Sequence, residues 1–273
     1  MKSVNTKSVS MYELNQVPSE AKIKKYFRRI LFGKNVFCPE CRSRKIFKQG
    51  DRYRCQGCRI KFSLISHTWL RGMKLPYQKF WLILWGWTRQ VPIKQTMDLT
   101  ELSEDAVRRW FANFRRHLPR NNAILEHIVQ LDEAFFKRSA LMMAKQQGTR
   151  KVAFELLNTI NVQRHHAASF LQQNIKPRSK LRTDGASIYR SIHKWWPVRH
   201  QKDIHRKWEF ELTSEIEGLF GNLRTFIRRM YHHTTPEKLP DMVSEFCTRF
   251  SSPEIFENPL KYLERTLTLV TFD

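Results

Sequence analysis

The segment His127-Ile-Val-Gln-Leu-Asp-Glu-Ala-Phe-Phe136 carries the pattern that decides the fold. Its β-branched and aromatic residues predict a strand, and because an acid is disfavoured inside a strand, Asp132 needs an explanation. Residues 151–158, 159–162, 180–183 and 197–204 predict further strands, and residues 164–175, 186–195, 214–233 and 236–250 predict helices. Strands followed by crossover helices indicate an α/β domain with a mixed sheet.

Two further acids stand at the ends of predicted elements. Asp184 follows the strand 180–183, at the sheet edge where α/β proteins place their sites. Asp-Gly is also an ordinary turn signal, and Asp184 could cap the following helix. Glu217 lies in the first turn of the helix 214–233, where Ser214-Glu-Ile-Glu217 also fits a capping box. Considered one at a time, each acid is better explained by a structural role, such as a turn or a helix cap, than by a catalytic one.

Taken together, Asp132, Asp184 and Glu217 favour a metal site. Phosphoryl-transfer enzymes hold two divalent cations about 4 Å apart, and Mg²⁺ takes oxygen ligands. Asp132 and Glu133 point to opposite sheet faces, so at most one of them faces a given site. Arg224 lies two helical turns after Glu217, about 10 Å along the axis, which suits a cation that contacts a neighbouring phosphate.

Four cysteines predict a zinc ribbon. Cys38-Pro-Glu-Cys41 and Cys55-Gln-Gly-Cys58 are two C-x-x-C knuckles, and four thiolates close a tetrahedral shell around Zn²⁺. The alternative is a pair of redox dithiols, which two knuckles at this spacing disfavour. Basic residues throughout the ribbon suggest contact with DNA, and the fifth cysteine, Cys247, is interpreted as a core residue.

A second DNA-binding element is predicted over residues 93–118. Apolar residues recur at helical spacing along residues 104–118, and a short helix and the turn at Leu102-Ser103 precede them. The opposite side of the helix carries Arg108, Arg109, Asn113 and Arg116. This layout fits a helix-turn-helix whose second helix enters the major groove, and a basic solvated helix is the alternative.

Composition and charge agree with a DNA-binding protein. The 273 residues include 49 Lys and Arg against 25 Asp and Glu, which gives a net charge of +24, while 41% of residues are apolar. A disordered basic tail is excluded because it lacks such apolar mass. The expected partner is a polyanion, with nucleic acid ahead of an anionic membrane surface.

The most apolar stretch, residues 80–87, is far shorter than the ~20 residues of a membrane span. The polar N-terminus also lacks a signal sequence, so we expect a cytoplasmic protein without a membrane partner.

These motifs resemble those of bacterial insertion-sequence DDE transposases with an N-terminal zinc ribbon and an ISXO-type transposase domain. The resemblance extends from residue 37 to about residue 250. The matching motifs are the ribbon around Tyr53-Arg-Cys-Gln-Gly-Cys58, Leu131-Asp-Glu133, Thr183-Asp-Gly185 with Tyr189, Ile216-Glu-Gly218 with Leu223-Arg224, Tyr231-His-His233 and Glu245-Phe-Cys-Thr-Arg249.

The resemblance implies an RNase H-like catalytic domain. It also implies Mg²⁺- or Mn²⁺-dependent nicking at transposon ends, followed by attack of the freed 3′-hydroxyl on target DNA. Asp132, Asp184 and Glu217 would be the catalytic metal ligands, and Arg224 would contact DNA. Double-stranded DNA, as terminal repeats and target, would be the partner of a homo-oligomer, associated with the bacterial nucleoid.

Three positions depart from the family pattern. Phe136-Lys-Arg138 replaces a glycine pair that many relatives carry, and Arg249-Phe-Ser-Ser252 replaces an Arg-x-Asn-Arg ending. Ser214 occupies the position where part of the family has an asparagine as third metal ligand. We therefore assign the third ligand to Glu217, with Glu215 as the second choice.

The predicted organisation has four parts. They are a basic helix and zinc ribbon at residues 1–70, a helix-turn-helix at 71–120, the catalytic domain at 121–255 and a tail at 256–273. Two rival functions stay open: a non-catalytic zinc-ribbon DNA-binding protein derived from a transposase, and an RNase H-like nuclease that cuts without joining. His200 and His205 are interpreted as structural, and Glu245 with Arg249 as an ordinary i,i+4 ion pair worth a few tenths of a kcal/mol.

Overall fold

The computed structural model describes residues 17–120, 123–202, 212–232 and 234–270. Within these ranges the α-helices are α1 (Glu20–Phe32), α2 (Tyr77–Thr88), α3 (Ile93–Thr100), α4 (Glu104–Arg116), α5 (Arg164–Asn174), α6 (Ser214–Tyr231), α7 (Leu239–Ser251) and α8 (Pro259–Thr266). The strands are β1 (Ile46–Gln49), β2 (Arg52–Cys55), β3 (Lys61–Ser63), β4 (Ile128–Phe136), β5 (Ser139–Gln146), β6 (Val152–Leu157), β7 (Lys180–Thr183) and β8 (Arg199–Lys202). His205, His233 and the end of the predicted strand 197–204 lie outside the described residues.

Contacts group the chain into two compact units, residues 1–111 with 255–273 and residues 112–254. The boundary between the two units falls inside α4, and the four-part division stays a prediction. Among the described residues, no helix combines the length and the hydropathy that crossing a bilayer requires.

The first unit contains the ribbon, a three-stranded antiparallel sheet in the order β1-β2-β3. Tyr53 and Phe62 are cross-strand partners whose rings stack at 5.4 Å between centroids, which gives this small sheet an apolar face. Ile46 pairs with Cys55, so one metal-binding knuckle continues directly from β2. The hairpin of β1 and β2 therefore lies between the two knuckles.

The helices of the first unit enclose an aromatic core. Phe27 of α1 packs edge-on against Phe80 of α2 at 6.0 Å, and Phe80 packs against Trp110 of α4 at 5.4 Å. Gly86 of α2 allows α3 to approach, because a Cβ at this position would lie 3.1 Å from the Thr96 hydroxyl oxygen.

The residues predicted as a C-terminal tail instead form α8. Asn258 caps this helix by accepting a hydrogen bond from the Lys261 backbone N–H at 3.1 Å. Tyr262 is fully buried and packs against Trp87 at 5.2 Å. These residues therefore complete the core of the first unit.

The second unit is built on a five-stranded mixed sheet in the order β6-β5-β4-β7-β8. Strands β4, β5 and β6 are antiparallel neighbours, and β7 and β8 run parallel to β4. Helices flank the sheet, so the predicted α/β class is confirmed, and the strand order and directions agree with the expected RNase H-like fold.

Local predictions in this unit fail at three places. Strand β5 was not predicted, and residues 159–162 follow β6 without forming a strand. The helix predicted over residues 186–195 is instead two short 3₁₀ turns, Ser187–Tyr189 and Ile192–Lys194. Ser191 lies between them with φ of +60°, a left-handed conformation that interrupts a right-handed helix.

The two faces of the sheet have different partners. Val129, Leu131 and Leu181 belong to one buried cluster with Phe170 and Leu171 of α5. The opposite face carries α6, whose buried residues include Ile216, Leu219, Phe220, Leu223, Phe226, Ile227 and Met230.

Candidate functional site

Asp132 lies inside β4, and Asp184 directly follows β7, the parallel neighbour of β4. The register of β4 and β7 pairs Ile128 with Lys180 and Gln130 with Arg182, and the same offset of 52 residues relates Asp132 to Asp184. Neighbouring strands lie about 4.8 Å apart, and residues in register point to the same face. The structure therefore places Asp184 directly after β7, beside the middle of β4, where Asp132 lies.

Helix α6 begins on the same face. Gln130 is two residues before Asp132, so both side chains point to one side of β4. The Gln130 side-chain oxygen accepts a buried hydrogen bond from the Ile216 backbone N–H at 3.0 Å. Because Ile216 precedes Glu217, this bond fixes the first turn of α6 over the face that carries Asp132.

The two aspartates also stabilise the local backbone. Asp132 accepts from the backbone N–H of Glu133 at 2.8 Å, and Asp184 accepts from that of Ala186 at 2.9 Å. The turn role considered for Asp184 is therefore present. A carboxylate has about four acceptor positions, so this role is compatible with binding a cation.

Glu217 and Glu215 occupy different environments on α6. Glu217 is exposed and accepts from the Thr213 hydroxyl at 3.1 Å. Thr213, rather than Ser214, is the N-cap, so the predicted capping box is not formed. Glu215 forms an ion pair with Lys145 and approaches the Gly148 backbone N–H at 3.3 Å. Of the two candidates for the third metal ligand, Glu215 is therefore already neutralised by the Lys145 ammonium group.

The three predicted acids are not drawn into one tight cluster. In the described part of the chain, the side-chain oxygens of Asp132, Asp184 and Glu217 do not all lie within 4.8 Å of one another. The structure places Asp132 in the middle of β4, Asp184 directly after the neighbouring β7, and Glu217 in the first turn of the helix above the face that carries Asp132.

A fourth acid, Glu133, lies against the other face of β4. Burial, with smaller contributions from Asp184 and Asp132, raises its pKa to about 7, while a hydrogen bond from the Tyr189 hydroxyl opposes the rise. Tyr189 is fully buried. Sequence alternation correctly separated Glu133 from Asp132, but the burial of Glu133 was not predicted.

Glu133 predicts a pH-dependent stability. Because the folded protein holds this proton more tightly than the unfolded chain, whose ordinary pKa is 4.5, the stability it contributes is present below about pH 4.5 and is lost as the pH rises through about 7. We expect Glu133→Gln, which cannot ionise, to gain several °C in Tm relative to the wild type between pH 5 and pH 8. Thermal unfolding at four pH values tests this, and a difference that is constant with pH would contradict it.

A buried ion network holds the far end of α6. The fully buried Glu245 accepts from the Tyr231 hydroxyl at 2.5 Å and from Arg249 Nε at 2.8 Å, and Arg115 lies 3.5 Å away. Glu245 and Arg249 do form the predicted i,i+4 ion pair. Both side chains are buried, and Glu245 also contacts α4 and α6, so the few tenths of a kcal/mol typical of an exposed pair does not apply.

Loss of the central carboxylate should destabilise the second unit strongly. We expect Glu245→Gln to lower the free energy of unfolding by about 3–5 kcal/mol, because two buried arginines would lose their counter-charge. Urea denaturation measures this effect. The exposed Glu254→Gln is the matched control and should change stability by less than about 0.5 kcal/mol. Equal stability of the two variants would show that the network contributes little.

The cysteine quartet has the geometry of a metal centre. One sulfur from each of Cys38, Cys41, Cys55 and Cys58 lies within 4.8 Å of the others. The backbone N–H of Cys58 lowers the pKa of the Cys55 thiol to about 6, whereas burial raises that of Cys38 to about 12. Four sulfur donors fit tetrahedral Zn²⁺, which deprotonates the thiols it binds. The quartet can therefore hold zinc.

The outer face of the ribbon is basic. The cross-strand row Phe47–Arg54–Lys61 and the neighbouring Arg52 point away from the Tyr53–Phe62 side. Phe47 is 59% exposed, which is unusual for a large apolar residue in a sheet. An exposed aromatic ring among cations is a surface suited to nucleic acid.

The predicted helix-turn-helix residues lie on α4, after α3 and a turn in which Glu101 is left-handed with φ of +54°. Arg109 is exposed, Arg108 pairs with Glu104 at 2.5 Å, and Arg116 bonds to Asn113 at 3.3 Å. The helices and the turn are present, and the assignment of these side chains to DNA stays a prediction.

The sequence of the second unit identifies its class. Residues 124–251 match the family model of the ISXO2-like transposase domain. The chain therefore carries a transposase domain, and specifically one of the ISXO2-like family, as the motifs predicted.

One solved structure with low similarity to this chain contains a viral intasome. The chain is similar to a chain in the cryo-EM structure of the simian T-cell lymphotropic virus intasome in complex with the PP2A regulatory subunit B56 gamma. The identity is 13%, the TM-score is 0.35, and the match covers 62% of this chain and 67% of that chain. A search of curated proteins gave no match.

Proposed function

We propose that the protein is a DDE-type transposase that cuts DNA at the ends of an insertion sequence and joins the freed 3′-hydroxyl to target DNA. The observation that carries the proposal is the parallel pairing of β4, which holds Asp132, with β7, which Asp184 directly follows, on the sheet that the first turn of α6 contacts. The ISXO2-like transposase domain coincides with the unit that holds them.

The donor chemistry of this site fits a hard divalent cation. Asp132 and Asp184 would bind Mg²⁺ or Mn²⁺ through carboxylate oxygens, and Glu217 would complete the set from α6. When bound, such a cation stabilises charge on the attacking and leaving oxygens of a phosphoryl transfer. Arg224, exposed on α6 beyond Glu217, would contact a neighbouring phosphate. Water is the first nucleophile, and the released 3′-hydroxyl is the second.

The remaining charge serves to hold DNA. The zinc ribbon and the α3–α4 pair would bind the terminal repeats, and the net charge of +24 favours both end and target DNA. We propose that a homo-oligomer assembles on the two ends in the cytoplasm, at the nucleoid. The four-part division at residues 70, 120 and 255 belongs to this proposal.

Cleavage and joining can be tested on one labelled substrate. DNA that carries the inverted repeats flanking the gene is incubated with the full chain and Mg²⁺, together with a plasmid target. We expect nicks at the repeat boundary and labelled DNA joined to the plasmid. Cut DNA without a joined product would favour the nuclease. Binding without cutting of any terminal-repeat substrate would favour the non-catalytic protein.

A further inference from the structure

A pocket of about 300 Å³ opens at the carboxyl end of β4, beyond the acidic site. Its walls include Phe135 and Lys137 from the end of the strand and the following turn, Arg224 from α6, and the loop residues Thr234 and Pro236. Pockets of this volume are at the lower end of those that hold small ligands.

Phe135 is the unusual residue of this pocket. Its side chain is 55% exposed, although it lies in a strand whose other apolar residues are largely buried. The basic residues Lys137 and Arg224 stand at the same pocket. An exposed aromatic ring beside two cations matches the chemistry that holds an unpaired base, in which the ring stacks and the cations contact phosphates.

The position of the pocket relates it to the proposed reaction. Phe135 follows Asp132 by three residues, about 10 Å along an extended strand, and this odd spacing directs its side chain to the face opposite Asp132. The ring therefore reaches the pocket that it shares with Arg224 at the end of β4, and not over the acids. Arg224 follows Glu217 by seven residues, again about 10 Å along a helix. A DNA strand advances about 3.4 Å per nucleotide, so the pocket lies within about three nucleotides of a phosphate at the acids.

We propose that the pocket formed by Phe135 and Arg224 receives one unpaired DNA base within about three nucleotides of the scissile phosphate. The base stacks on Phe135, and Arg224 and Lys137 neutralise the flanking phosphates. Removing a base from the duplex stack exposes the strand to the acids and orients its end. This inference rests on the proposed function, because the scissile phosphate is placed by Asp132 and Asp184.

A fluorescent base tests the pocket without cleavage. Terminal-repeat duplexes carry 2-aminopurine, one position at a time, across the three nucleotides on each side of the cleavage site, and are titrated with the full chain without added divalent cation. We expect the fluorescence to change sharply at one position, as the base leaves the stack, and Phe135→Ala to remove that change. Phe135→Trp keeps an aromatic ring and should preserve it.

Affinity measurements with an abasic site provide the decisive comparison. Phe135→Ala should weaken binding of intact DNA by about 5- to 100-fold, the range for loss of one stacked base. Deleting the base at the responsive position should weaken wild-type binding similarly, and the variant should then lose nothing more. Ile160→Ala, which truncates an equally exposed apolar residue of the same unit, should bind like the wild type.

Three outcomes would overturn the inference. The first is that 2-aminopurine fluorescence changes at no position. The second is that Phe135→Ala loses the same affinity on intact and on abasic DNA. The third is that Phe135→Ala loses self-association of the protein but keeps the fluorescence change. The last result would assign Phe135 to a contact between copies of the chain. If the base signal is present but wild-type protein with Mg²⁺ neither cuts nor joins DNA, the base pocket stands and the transposase proposal fails.

Discussion

Asp132→Asn and Asp184→Asn should each reduce Mg²⁺-dependent strand cleavage on the order of 10³-fold, while binding of terminal DNA stays within about twofold of the wild type. The reason is the loss of one anionic ligand from a cation that supplies several kcal/mol of transition-state stabilisation, with each 1.4 kcal/mol worth a factor of ten. Both variants keep the shape of the side chain, and an amide oxygen can still accept the local backbone hydrogen bond. Single-turnover cleavage of a labelled terminal repeat measures the rate, and electrophoretic mobility shift measures binding.

Variants of exposed and neighbouring acids provide the controls. Asp241→Asn, at an exposed acid of α7 outside the site, should cleave like the wild type. Glu217→Gln should lose activity to an extent similar to the aspartate variants, whereas Glu215→Gln should keep activity within about tenfold because Lys145 already neutralises it. The reverse order would assign the third ligand to Glu215, and full activity of both aspartate variants would refute the proposed site.

The second large effect should come from loss of zinc. Cys55→Ser removes a buried ligand, and structural zinc sites supply about 10–16 kcal/mol of apparent binding free energy. We expect the variant to bind no zinc, the three-stranded sheet of residues 46–63 to unfold, and the affinity for terminal DNA to fall by at least about tenfold. Zinc content by a colorimetric chelator and hydrogen exchange of the ribbon amides measure these changes.

The fifth cysteine offers the matched control for this experiment. Cys247 is buried on α7 in the second unit, and Cys247→Ala should retain one zinc per chain. A Cys55→Ser protein that keeps its zinc and its protected ribbon amides would contradict the assignment of the quartet.

Local signals predicted a large part of the fold. The knuckle spacing alone indicates a zinc ribbon, because two residues between ligands dictate a tight turn. The helix predicted over residues 214–233 corresponds to α6, and the β-rich segment 127–136 located β4 to within one residue. These elements carry their own signal, since hydrophobic pattern and propensity agree along each of them.

The missed elements depend on contacts that are distant in sequence. Strand β5 contains alanine, methionine, lysine and glutamine, which have little strand preference, and it forms because it pairs with a strand on each side. Helix α8 is stabilised by burial of Tyr262 against Trp87, which lies 175 positions earlier. No local window contains either cause.

The same limit applies to the candidate site. Asp132 was identified as an acid inside a predicted strand and Asp184 as an acid at the end of another, but only the pairing of β4 with β7 shows that these two strands are neighbours. The pairing of Glu215 with Lys145 and the burial of Glu245 are likewise tertiary facts. The sequence identifies the candidate acids, and the surroundings of each acid in the fold distinguish a candidate metal ligand from an acid that pairs with a basic side chain.

Cation binding at the acids can be located directly by replacing Mg²⁺ with Fe²⁺ and generating hydroxyl radicals, which cut the polypeptide next to the bound ion. If Asp132 and Asp184 hold the cation beneath α6, cuts should cluster near residues 132, 184 and 217, should be suppressed by excess Mg²⁺, and should vanish in the Asp132→Asn, Asp184→Asn double variant. Cuts that fall elsewhere in the chain, or that persist unchanged in the double variant, would contradict the shared site.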